Sequence, residues 1–112
     1  MNYEKTVKND IVVVRVQEER LTSHEAPEMK TKLLELLMGE GDIILVNLKD
    51  VKYMDSTGIG AFLFGVRQAE QHNKEMCFCE MQEKVQFLIR IAQLEQVMDI
   101  YKTEEEALKE LQ

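Results

Sequence analysis

The sequence predicts an α/β fold in one domain over residues 1–112, with a mixed, mostly parallel sheet of about five strands, an N-terminal β-hairpin and about four helices. Three observations predict it. Short β-branched or apolar runs, IVVVRV at 11–16, IILVNL at 43–48 and MCFCE at 76–80, alternate with longer stretches whose apolar residues recur every three or four positions. The first run is preceded by YEKTV at 3–7 across the turn-forming residues Lys8, Asn9 and Asp10, which reads as a hairpin. With 112 residues and 45% apolar composition, the chain can bury one core but hardly two.

After the hairpin, Pro27 fits only in the first turn of a helix, so a helix is expected from around Glu25 to about Met38, ended by the glycines of GEGD. Met29, Leu33, Leu36 and Leu37 form its apolar stripe. IILVNL lacks polar alternation, as expected of a central strand buried on both faces. The loop KDVKYMDS leads to a helix from Thr57 to about His72, with Ile59, Phe62, Leu63 and Val66 at helical spacing. Ala61, Phe64 and Gly65 make its first two turns apolar nearly all round, so that end is expected to be closely packed.

MCFCE is the next strand. The following EKVQFLIRIAQ carries two stripes: Val85, Leu88, Ile89 and Ala92, expected to cover the sheet, and Phe87, Ile91 and Leu94. The second stripe is expected to meet the C-terminal helix, with self-association into a homodimer as the other use for it. VMDIY at 97–101 reads as a last strand, and Thr103 with Glu106 as a capping box before Ala107, Leu108 and Leu111. The predicted order is ββαβαβαβα.

Composition excludes several classes of function. A net charge of −7 and a pI near 4.9 disfavour nucleic acid, which needs clustered Lys and Arg to displace counterions. No run reaches the roughly 18 apolar residues of a membrane span. The start, MNYEKTVKND, lacks the apolar core of a signal peptide, so a cytoplasmic protein without membrane insertion is expected. Cys77 and Cys79 on a strand would share a face roughly 7 Å apart, too far for a disulfide. His24 and His72 have no cysteine-pair spacing around them; neither a metal site nor a cofactor is expected.

The stretch MDSTGIG at 54–60 is the candidate site. With a helix starting at Thr57, Ser56 is expected at the N-cap, accepting from the amide of Gly58 or Ile59, a role worth about 1 kcal/mol of helix stability. Three features point beyond capping. The stretch follows the carboxyl end of the most buried strand, the edge where open α/β sheets meet ligands and partners. Gly58 and Gly60 leave the backbone approachable, and Asp55 places a carboxylate beside the hydroxyl. A phosphoryl group on Ser56 would add roughly −1.5 to −2 charge at the positive end of a helix.

Catalysis fits less well. A nucleophile elbow needs glycine where Met54 stands, and a dinucleotide fingerprint needs a third glycine where Leu63 stands. No general base sits in an obvious place, so the chain is not expected to be an enzyme.

The run IILVNLKDVKYMDSTGIGAFL resembles the core motif of the STAS family, the bacterial anti-sigma factor antagonists, in which a buried strand leads to D-S-[ST]-G-[LIV]-G and an apolar helix. IVVVRV, EAPEMK and VMDIYKTEEEAL sit where that family has corresponding segments. The resemblance implies partner switching: the unmodified protein binds an anti-sigma factor that is also a serine kinase and so frees a sigma factor. Phosphorylation of the motif serine ends the interaction, and a metal-dependent serine phosphatase restores it. Carried over, Ser56 is the phosphoacceptor, Asp55 its acidic neighbour, and Thr57, Gly58, Ile59 and Gly60 the helix start around it. Thr22 joins them on the partner surface, formed by this helix start and the loops 49–55 and 17–26 at one edge of the sheet.

The chain departs from the family twice. Where members read G-x-[IL]-D, this chain has ERLTSHEAPE, with Arg20 near the glycine and Thr22 at the aspartate. Asn47 stands where the strand often ends in Asp. These changes allow a kept motif with another partner, the alternative being a STAS-type accessory subunit of a transporter or sensory complex.

Overall fold

The computed structural model describes residues 1–112. Strands β1 (Tyr3–Lys8) and β2 (Ile11–Val16) form the expected antiparallel hairpin, Tyr3 opposite Val16 and Lys8 opposite Ile11. Asn9 takes the positive φ of 58° at the turn, a conformation Asn tolerates better than most residues. β2 then pairs in parallel with β4 (Ile43–Asn47), β4 with β6 (Glu75–Cys79), and β6 with β7 (Asp99–Tyr101). The sheet order is β1-β2-β4-β6-β7.

Each parallel step moves to the next strand in the same direction. Right-handed crossovers must then put every crossover helix on the same face of the sheet. Helices α1 (Ala26–Leu37), α2 (Ser56–Gln71) and α3 (Glu83–Ile91) share a core with Val12, Val14, Ile44, Val46, Met76 and Phe78. The other face, Ile11, Val13, Leu45, Cys77 and Cys79, is left to α4 (Glu104–Leu111), which covers it with Ala107, Leu108 and Leu111. β4 is therefore buried on both sides, which accounts for its unbroken apolar run. Cys77 and Cys79 are free and buried, and burial pushes both thiols up to about 12.

The predicted stripe of α1 is buried at Met29, Leu33, Leu36 and Leu37, and Pro27 lies in its first turn. Thr103 caps α4, its Oγ1 accepting from the Glu106 amide at 3.1 Å. Three expectations need correction. The expected order lacked two short strands, β3 (Arg20–Leu21) and β5 (Tyr53–Met54), which pair in parallel with each other beside the main sheet. On α3, Val85 and Ile89 are buried and Leu88 half-buried, but Ala92 is exposed. The second stripe does not meet the C-terminal helix: Phe87 and Ile91 stay 56% and 61% exposed, because α4 lies across the opposite face of the sheet. Leu94, beyond the end of α3, turns back against the core.

Candidate functional site

The helix start at residues 55–60 is held by two loops that the short strands tie together. Arg20 lies opposite Tyr53 and Leu21 opposite Met54. The Glu19 carbonyl accepts from the amides of Lys52 and Tyr53 at 2.9 and 3.0 Å, and the Leu21 carbonyl from Asp55 N at 3.3 Å. From the sheet side, Arg15 grips Asp50 with two bonds of 2.9 and 3.0 Å. That bidentate pair holds the Asp50 carboxyl below the usual carboxylate range. The loops 17–26 and 49–55 thus form one surface with the start of α2, as expected from the sequence.

Ser56 does not cap the helix. Asp55 is the N-cap, in extended backbone (φ −111°, ψ −173°), and Ser56 is the first helical residue. Asp55 Oδ1 accepts from the amides of Thr57 and Gly58 at 3.0 and 3.2 Å and from the Thr57 hydroxyl. An aspartate ranks with serine as an N-cap and its charge suits the positive helix end; of the two amides expected on the serine, its carboxylate takes that of Gly58, while Ile59 N donates to the Asp55 carbonyl at 3.1 Å. The Thr57 hydroxyl above all, with the Gly58 and Thr57 amides, holds the Asp55 carboxyl below its ordinary value. The Ser56 side chain is exposed and its hydroxyl has no partner within the chain.

The two glycines differ in cause. A Cβ on Gly58 would lie 2.3 Å from the Leu21 carbonyl oxygen and 2.8 Å from Met54 Cγ, so only glycine lets β3 cross the helix start. A Cβ on Gly60 would meet nothing within 4 Å. Packing within the chain gives no reason for glycine there.

Of the remaining predicted residues, Thr57 is exposed, whereas Ile59 is 8% exposed and belongs mainly to the core. Thr22 is half-buried, and its hydroxyl and amide both donate to Glu25 Oε1 at 2.8 Å. These bonds draw the Glu25 carboxyl below its ordinary value and fix the entry to α1. Asn47 is buried, its Nδ2 donating to Glu104 Oε1 and its Oδ1 accepting from Lys49 N, both at 2.9 Å. One feature carried no sequence signal: the Arg20 guanidinium stacks over the Tyr53 ring, 4.7 Å from its centroid. Only the register of β3 on β5 brings them together.

The two loops beside the helix start border an open hollow of about 380 Å³, lined among others by Glu18, Glu19, Lys49, Asp50 and Lys52. A hollow of about 490 Å³ lies elsewhere, lined by Glu83, Lys84, Gln86, Phe87 and Arg90 of α3. No cluster of three or more His, Cys, Asp or Glu side chains could hold a metal ion, and no helix is long and apolar enough to cross a membrane. An exposed hydroxyl, a capped carboxylate and a glycine with open space above it suit contact with another macromolecule.

Comparison with known proteins gives a consistent result. The family model described as STAS domain matches residues 2–107. An anti-sigma-B factor antagonist of Staphylococcus aureus (strain NCTC 8325) is 30% identical over 100 residues, covering 89% of this chain and 92% of that protein. The anti-sigma factor antagonist SpoIIAA in its unphosphorylated form superposes with a TM-score of 0.78 at 23% identity, over 98% of this chain and 96% of that one. The Bacillus cell fate determinant SpoIIAA in the phosphorylated form gives a TM-score of 0.72 at 22% identity, over 99% and 100%.

Proposed function

Since the chain belongs to the STAS domain family, we propose that it is an anti-sigma factor antagonist working by partner switching in the cytoplasm. In its unmodified state it binds an anti-sigma factor that is also a serine kinase, and so frees a sigma factor. The kinase transfers the γ-phosphoryl of ATP to Ser56 Oγ; a new P–O bond forms, ADP leaves and the hydroxyl proton goes to a base of the kinase. Binding ends, and a metal-dependent serine phosphatase restores it by hydrolysis.

The observation that carries this reading is the exposed, unpartnered Ser56 hydroxyl on the first turn of α2, with the cap already taken by Asp55. Because Asp55 and not Ser56 satisfies the cap amides, modifying the serine removes no bond that holds the helix. The added charge of roughly −1.5 to −2 sits beside a carboxylate that its cap bonds hold in place. Like charges or an unpaired charge buried at an interface cost several kcal/mol, a loss of a hundredfold or more in affinity. The helix dipole offsets part of the charge, so release requires no change of fold.

Incubation with the anti-sigma factor kinase of the same organism and ATP, followed by mass spectrometry, tests the proposal. One phosphate on Ser56 is expected, together with weakened kinase binding by Ser56→Asp; phosphate elsewhere, or full binding by that variant, would overturn it. A second reading, an accessory subunit of a transporter or sensory complex, is favoured by Thr22, whose hydroxyl is turned onto Glu25 where the family presents an acid. Co-purification of a membrane transporter in place of a small ATP-binding kinase would select it.

A further inference from the structure

Two of the chain's four arginines are matched to acids: Arg15 to Asp50 at 2.9 Å and Arg90 to Glu95 at 3.8 Å. Arg20 is not. No carboxylate lies within ion-pair distance of it, in a chain whose acids exceed its bases by seven. Its immediate neighbour Glu19 is engaged by Lys52 at 3.2 Å. The guanidinium rests instead on the ring of Tyr53, a residue itself 45% exposed.

The platform is fixed relative to the candidate site. Arg20 directly precedes Leu21, whose carbonyl takes the Asp55 amide at 3.3 Å and occupies the space a Gly58 side chain would fill. Tyr53 stands three residues before Ser56 on the strand that leads into α2. The backbone contacts that position the serine therefore position the arginine too. A guanidinium held against an aromatic face keeps planar N–H donors whose fork matches a carboxylate, and less side-chain entropy is lost when one arrives. Aromatic and arginine residues are the types that dominate the energetics of protein interfaces.

We propose that Arg20, held on Tyr53, is a specificity-determining contact of this surface that takes an aspartate or glutamate side chain of the anti-sigma factor. The proposal rests on the function proposed above and adds the partner's chemistry: an acid facing β3, beside the region that meets Ser56. Arg20 stands in the segment where the chain leaves the family pattern, so this contact would distinguish its partner from those of relatives.

Binding of the full chain to the purified anti-sigma factor kinase of the same organism, measured at low and at physiological salt, is the test. Arg20→Ala is expected to weaken binding about tenfold or more and to flatten its salt dependence, with Arg20→Glu weaker still and Arg20→Lys in between. Arg67→Ala is expected to bind as the unsubstituted chain does, since that residue is exposed and lies about 16 Å further along α2. Circular dichroism confirms that each variant is folded; if Arg20→Glu is not, Arg20→Lys decides, because it keeps the charge and loses the fork. Unchanged affinity and salt dependence in Arg20→Ala would overturn this contact while leaving the antagonist function standing. Absence of kinase binding by the unsubstituted chain would overturn both.

Discussion

Asn47 Nδ2 donates to Glu104 Oε1 at 2.9 Å, joining the end of the central strand to the first turn of α4. The same carboxamide accepts from the Lys49 amide, and the Glu104 amide donates to Glu80 Oε2 at 2.8 Å. The position therefore needs one donor and one acceptor on a single short side chain, which Asn supplies and Asp does not. The family's frequent aspartate at this strand end would here face a carboxylate.

Asn47→Asp is accordingly expected to destabilise the fold by about 1–3 kcal/mol near neutral pH, through loss of a buried bond and juxtaposition of like charges. The loss should shrink as the pH falls and one of the two carboxyls takes up a proton. Urea denaturation across the acidic to neutral range checks both statements; equal stability at neutral pH would refute them.

Gly58→Ala and Gly60→Ala are expected to act in opposite directions. The first drives a methyl group against the Leu21 carbonyl and should cost about 1–3 kcal/mol as β3 is pushed away. The second adds a methyl group in open space within a helix and should stabilise by about 1 kcal/mol from helix propensity alone. Thermal denaturation of the pair separates a glycine required by packing from one that is not.

Acid stability should respond to two aspartates with opposite sign. The Asp55 carboxyl is held low, chiefly by the Thr57 hydroxyl, so its contribution is present above the unfolded value and lost as the pH falls through the folded one. The Asp42 carboxyl is held high by the Asp10 carboxylate beside it, which favours a proton shared between the two and then, by its charge, opposes a second negative charge. Its contribution is present at acid pH and lost as the pH rises through the folded value. Asp42→Asn is thus expected to raise the melting temperature at neutral pH, with the gain fading in acid, whereas Asp55→Ala should lower it at neutral pH and converge on the unsubstituted chain in acid. Calorimetric scans over pH would expose a wrong sign in either case.

The main elements were legible because their patterns are local. The continuous run of β4, the stripe Met29, Leu33, Leu36 and Leu37 and the Thr103 cap each follow from residues within a few positions of one another. The cap of α2 is ambiguous in the sequence because DST offers three side chains able to cap, and only the backbone geometry at Asp55 decides among them. The α3 stripe misled for another reason. Phe87 and Ile91 read the same whether or not a neighbour covers them, and the monotonic strand order sends α4 to the far side of the sheet.

By itself, then, the sequence determined the alternation of strands and helices, the hairpin, the residues that fill the two cores and the motif that places a serine at the start of α2. Those are consequences of periodicity, capping and turn chemistry, which act over a few residues. Tertiary structure alone decided that Arg20 stacks on Tyr53, that Gly58 is required by the Leu21 carbonyl and Gly60 by nothing inside the chain, and that Asn47 answers to Glu104. Each of these joins residues 33 or more positions apart, or depends on a strand two residues long, and so leaves no periodic trace in the sequence for local rules to find.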